Sequence, residues 1–370
     1  MRLLPSTLLC LTCAWALAAG CGPGSIEGDP PDGGPADGLD DGGVDPDLDD
    51  SGPQPGQDRD GDGLDDAWEA AAGEPGLLDW RAADSDGDGL GDGDEDPDQD
   101  GLTNLEEQAA AELPWLLAGP APHPLRRDLL VELDAMQGRE PSSAALAGVE
   151  AAYAAAPVDN PDGSQGVAVH FLGDELALPA VEFDGSFAER QAYLRAHPPG
   201  LANPGGALPL DELVHVVFAA RRLDIPDRGG EVLTSDDGDA EKTGVFVYVD
   251  VIEATFPACE RPVPPELPAI TAEEMVVGTL VHELGHCLQL GHDTDIGGGV
   301  NAFNVMAVPS SCLEAQMRAH GAGNADPLLG ATEAAFAPRF SLDAAALMVL
   351  ERKLSVEASA LEDDDDGYEM

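Results

Sequence analysis

The sequence predicts an α/β (α+β) domain with a mixed sheet, and three observations predict it. Strand-length apolar runs alternate with helix-length runs between residues 127 and 356. A capped helix near the end of that span carries two histidines one turn apart. Ahead of the domain, carboxylates recur at two-residue spacing between residues 58 and 107. Taken in order, residues 129–133 predict a first strand and 142–156 an Ala-rich helix begun by Ser142 or Ser143. Residues 167–172 predict a second strand, 187–196 a second helix and 213–219 a third strand. A fourth strand is expected over 245–252, alternating strictly enough to leave one face to solvent. A longer helix then starts at Thr271, with Glu274 completing a capping box. A smaller irregular lobe is expected after His292, closed by a helix over 341–354.

The chemistry sits on the helix after Thr271. His282 and His286 stand four apart, on one helical face, and can point two imidazole nitrogens at one ion. Glu283 flanks that ion and stands where a base for a water would be needed. A chance pattern on a solvated helix is the bland alternative, and the apolar lead-in from Met275 to Val281 argues against it. His292, six residues past His286 and just after Gly291, is the third donor by spacing. Asp293, Asp295 and the remoter Glu314 are the other candidates. Cys287 lies about a hundred degrees round the helix from His286 and is not a ligand.

This stretch resembles the elongated zinc motif HExxHxxGxxH of the metzincin metalloproteases. Asn304, Val305 and Met306 resemble the family's Met-turn. Segments 128–136, 160–163, 166–170 and 215–218 are similar to secreted bacterial metzincin-like proteins, so the resemblance spans residues 127–315. Gln289 departs from it, standing where the family has Gly or Asn at the exit from the helix. The resemblance implies Zn²⁺ held by His282, His286 and His292, over an apolar floor from Met306. Glu283 is then general base in hydrolysis of extracellular polypeptides by a zinc-activated water. It also implies that the strand before the zinc helix is a sheet edge receiving the peptide, through Val245, Val247 and Val249. The bland reading makes that strand an edge kept soluble by Asp250. No tyrosine stands between Met306 and Tyr368, so no tyrosine donor is expected. His170 and His215, in apolar strands, are expected as packed or hydrogen-bonded core residues. The rival function is an inactive, calcium-stiffened surface lipoprotein that binds a partner; a zinc hydrolase of non-peptide bonds fits an open edge strand less well.

The acidic segment is patterned. Asp58, Asp60, Asp62 and Glu69 fit D-x-D-x-D-G-x5-E, as do Asp84, Asp86, Asp88 and Glu95, and again Asp96, Asp98, Asp100 and Glu107, with Asn104 ninth in the last loop. Alternate carboxylates closed by a glutamate are a Ca²⁺ loop, and a merely solvated acidic face does not require this spacing. Glu95 and Asp96 are adjacent, which leaves no helix between the last two loops. The array therefore resembles thrombospondin type 3-like calcium repeats, which implies ions standing in for a hydrophobic core. Trp68, Leu77, Leu78 and Trp80 supply a small apolar cluster between the first two loops.

Composition bounds the rest. A net charge of −55, from 17 basic and 72 acidic residues, excludes nucleic acid and bare anionic membrane as partners and attracts divalent cations. Residues 1–20 read as an export signal ending at Cys21, which resembles a lipobox cysteine; ordinary secretion is the alternative. Lipid on Cys21 would place the protein at the cell surface or outer membrane, with no other apolar run long enough to span a bilayer. Residues 21–57 are an acidic tether, 58–112 the calcium repeats, 113–126 a Pro-rich joint, 127–356 the catalytic domain and 357–370 an acidic tail. After export, Cys259, Cys287 and Cys312 allow one disulfide at most, Cys259 with Cys312 or a bridge through Cys287. Oligomeric state is left open.

Overall fold

The computed structural model describes residues 52–73, 76–173, 175–199, 213–226, 228–233, 244–259, 271–288 and 290. His292, Met306, Cys21, Gln289, Cys312, the helix expected over 341–354 and both terminal segments lie outside these described residues. Two helices, α1 (Asp66–Ala72) and α2 (Asn104–Ala111), belong to the acidic segment. A five-stranded sheet follows, in the order β2 (Ala168–Gly173), β1 (Asp128–Ala135), β4 (Val214–Ala219), β7 (Gly244–Tyr248) and β6 (Gly230–Leu233). All neighbours are parallel except β6, which runs antiparallel to β7. A minor pair joins β3 (Glu182–Phe183) to β5 (Arg221–Arg222).

Strand β1 explains the layering. All its residues are buried, as expected of a strand covered on both faces. Leu129, Val131, Leu133 and Ala135 face a core shared with α3 (Ser143–Ala154) and α6 (Ala272–Cys287). Leu130 instead meets α2 through Ala110, and Met136 meets the side of α4 (Phe187–Ala196). The period of two thus sends alternate side chains to different helices. Ser142, Ser186 and Thr271 cap α3, α4 and α6 with their side-chain oxygens, each satisfying an otherwise orphaned N–H.

Helices α3 and α6 are fixed to each other by a close approach and a buried hydrogen bond. A Cβ on Gly148 would come 3.2 Å from Cγ1 of Val277. The Tyr153 hydroxyl donates to the Val281 carbonyl at 3.1 Å, inside the core.

Two expectations are corrected. The fourth strand ends at Tyr248, and Val249–Cys259 forms helix α5. A short apolar run fits either period; here Asp250 N–H turns to the Ala220 carbonyl at 3.2 Å, and the Asp250 carboxylate is held by Arg139 at 2.7 Å. Strand β7 is also not the edge. Val245 and Val247 are buried between β4 and β6, and Val249 is helical. Among the described residues the edge on that side is β6, a strand the sequence reading did not anticipate, and the other edge is β2. Among the described residues no helix is long and apolar enough to cross a membrane.

Gly166, between α3 and β2, has φ +104° and lies so close to Ala154 that a Cβ would fall on its carbonyl. Gly166→Ala should therefore destabilise the protein by about 2 kcal/mol or more, seen as a lowered thermal midpoint.

Candidate metal centres

The α6 helix brings its chemistry together on the side that meets the sheet edge. His282 is 0% exposed and Glu283 2% exposed. The Nε2 atoms of His282 and His286 lie 3.0 Å apart, with the rings nearly perpendicular. His286 Nδ1 is 2.6 Å from the Leu290 carbonyl, which assigns the proton to Nδ1 and turns the Nε2 lone pair toward His282. Tetrahedral zinc with nitrogens at 2.0–2.1 Å would hold them roughly 3.3 Å apart. The pair fits such an ion.

The structure adds two residues that the motif did not name. Leu290 supplies the orienting carbonyl, because α6 stops at Cys287 with Leu288 as its C-cap and Leu290 N–H returns to the Gly285 carbonyl at 3.1 Å. The other is Gly230, at the start of edge strand β6, where a Cβ would stand 2.6 Å from Glu283 Oε1 and 2.8 Å from Thr279 Cγ2. A glycine at this point lets the sheet edge approach the candidate base. Its neighbour Glu231 anchors the strand from the other face. Its carboxylate meets Arg190 Nε at 2.8 Å, Arg222 Nη1 at 2.5 Å and Arg228 Nη1 at 3.5 Å, and accepts the Tyr248 hydroxyl. Cys287 is a free thiol among the described residues, and burial, then Glu283, pushes its ionisation well up.

The histidines of the strands lie on the opposite face of the sheet. His170 is hydrogen-bonded to Asp128, and His215 Nε2 lies 3.0 Å from Asp134 and 3.2 Å from Glu132. Glu132, Asp134 and His215 are close enough together to share a cation.

The acidic loops are three copies of one geometry. In each, the sixth residue's N–H donates to the first aspartate: Gly63 to Asp58 at 3.2 Å, Gly89 to Asp84 at 3.1 Å, Gly101 to Asp96 at 3.0 Å. The seventh donates to the fifth: Leu64 to Asp62 at 2.9 Å, Leu90 to Asp88 and Leu102 to Asp100 both at 2.8 Å. Each sixth glycine has φ between +93° and +99°, which explains the required glycine. At the fourth position Gln99 takes φ +62° where the other loops have glycine. Oxygens of Asp58, Asp60 and Asp62 gather within 4.8 Å, as do those of Asp84, Asp86, Asp88 and Glu95. Glu69 is fully buried with no hydrogen-bond partner for either oxygen. Asp66 and Asp92, ninth in their loops, are also buried, bonding Arg59 N–H at 2.9 Å and Ser85 N–H at 2.7 Å. Their spacing was readable in the sequence. A donor set of carboxylate oxygens with Glu69 left unsatisfied fits a hard cation such as Ca²⁺. Trp80 is buried between the guanidiniums of Arg59 and Arg81, at 4.7 and 3.5 Å from its ring centre.

No protein-family model matches the chain, and no curated protein matches it. Among solved structures, a zinc-dependent peptidase from Methanocorpusculum labreanum (strain Z) is 14% identical over 50% of this chain and 92% of its own, with TM-score 0.31. Archaemetzincin from Methanopyrus kandleri is 20% identical over 62% of this chain and 96% of its own, with TM-score 0.30. Likeness at this level establishes neither family nor activity.

Gly230→Ala should displace Glu283 and crowd the buried Thr279, lowering the thermal midpoint in a melt. A second expectation concerns pH. Burial, reinforced by neighbouring aspartates, pushes Glu69 up to about 8 and Glu95 up to about 7, from an ordinary 4.5. The folded state then binds more protons than the unfolded one across that interval, so stability falls as pH rises. With a chelator, the thermal midpoint should drop between about pH 5 and about pH 8, and excess calcium should remove the drop.

Proposed function

We propose that the chain is a zinc-dependent metalloendopeptidase, on the convergence of His282 and His286 Nε2 at 3.0 Å, with Glu283 of the same helix beside Gly230 of strand β6. His282 and His286 would hold the ion, with His292 as the expected third ligand. When bound, zinc supplies Lewis acidity toward a carbonyl and a water. The His286 Nδ1–Leu290 contact keeps the imidazole in one orientation. Glu283, nearly excluded from solvent, takes a proton from the attacking water and returns it to the leaving amine. The peptide would add to the outer side of β6, which has no strand beyond it among the described residues, through main-chain hydrogen bonds.

The acidic loops would bind Ca²⁺ as structural ions. The field of a chain at −55 disfavours nucleic acid, and export with a lipid on Cys21 would carry the enzyme to extracellular polypeptides. Glu283→Gln should keep zinc, measured by metal mass spectrometry, while hydrolysis of a protein substrate falls by about 100- to 10,000-fold. His282→Ala should lose the zinc itself. Full hydrolysis in the Gln variant would remove Glu283 from the mechanism. Stoichiometric zinc in a wild type that cleaves nothing would favour the partner-binding lipoprotein.

A further inference from the structure

We propose that the third acidic loop does not close its calcium site alone: Asp128, the first residue of β1, supplies a ligand from the α/β domain, so one ion joins the repeats to the sheet. This rests on the reading of the repeats as calcium loops and adds a ligand outside their motif.

Asp98, Asp100, Glu107 and Asp128 each bring a carboxylate oxygen within 4.8 Å of the others, and all four residues are buried. Glu107 is 1% exposed, and neither of its oxygens has a hydrogen-bond partner. Asp98 is 2% exposed, with Oδ2 likewise unpartnered. Buried carboxylate oxygens left without a donor, as both of Glu107 and Oδ2 of Asp98 are, are costly unless a cation lies among them. Among the groups on Asp128 are His170 at Oδ1 and the His123 N–H at Oδ2, 2.8 Å away.

The main chain around Asp128 is set for this role. Asp128 N–H donates to Asp100 Oδ2 at 2.6 Å, and Arg127 Nε donates to the Asp98 carbonyl at 2.9 Å. These two bonds hold the loop against the start of the strand. The donors are all oxygen, which selects a hard cation. An irregular cage of several carboxylates suits Ca²⁺ better than Mg²⁺, which keeps its waters and demands an octahedron. Since β1 lies between β2 and β4, an ion at its first residue couples calcium to the folding of the whole sheet.

The test is calcium binding by equilibrium dialysis on the full chain, comparing wild type, Asp128→Asn and Asp84→Asn. Asp128→Asn should lose one ion, or bind it about 10-fold or more weakly, and the rise in thermal midpoint on adding calcium should shrink. Asp84→Asn, in the second loop, should lose a different ion and keep the Asp128 site. Unchanged stoichiometry and affinity in Asp128→Asn would overturn the proposal while leaving the calcium repeats standing. A wild type that binds no calcium would instead remove the repeat reading and the proposal with it. If Asp128→Asn does not fold, terbium decides. The Trp115 ring centre is 5.1 Å from that of His170, which contacts Asp128. Tryptophan-sensitised terbium emission, displaced by calcium, should fall in Trp115→Phe. Emission independent of Trp115 would place no ion beside Asp128 and overturn the proposal.

Discussion

Buried negative charge is the constraint on which much of this structure depends. With 72 acidic residues and 17 basic ones, the chain cannot pair its carboxylates with guanidiniums as they are buried. Where arginines are available they are concentrated: Arg190, Arg222 and Arg228 all meet Glu231, and Arg139 holds Asp250. Asp128 and Asp134 take histidines instead. Glu69 and Glu107 are left with neither. In a low-dielectric interior that arrangement is unfavourable for ionised groups, and a divalent cation is the physical remedy that matches their spacing.

The same accounting explains how the sheet edge is held against α6. Among the described residues strand β6 pairs only with β7, and an edge strand of four residues has little pairing to hold it. Glu231, alternating to the face away from α6, fastens it through buried ion pairs, while Gly230 on the other face admits Glu283. One residue anchors and the next yields space. The α6 helix is held from its other side by α3, through Gly148 and the Tyr153 hydroxyl. The imidazoles and the candidate base are thus placed by packing on two sides, which is the support a metal site needs for a fixed geometry.

Much of this was legible along the chain because it is local. Capping of α6 by Thr271 and Glu274, the one-turn spacing of His282 and His286, and the period of the acidic loops depend on residues within a few positions of each other. The glycine at the sixth loop position follows from the same local rule, since the backbone there takes positive φ. The extent of α4, Phe187–Ala196, was readable too. Residues 245–252 misled because alternation over so few residues fits a strand and a helix start equally, and hydrogen bonding to Ala220 chose the helix.

Sequence alone therefore settled the α/β class, the helix that carries the two histidines and Glu283, and the three-loop acidic array, all from short-range periodicity and capping. Folding chose the sheet order that puts β6 rather than β7 at an edge, the meeting of Gly230 with Glu283, and the placing of Asp128 among the carboxylates of the third loop. These join residues distant in the chain, and no local pattern encodes such a contact: it arises when burying both faces of the sheet forces separate elements together.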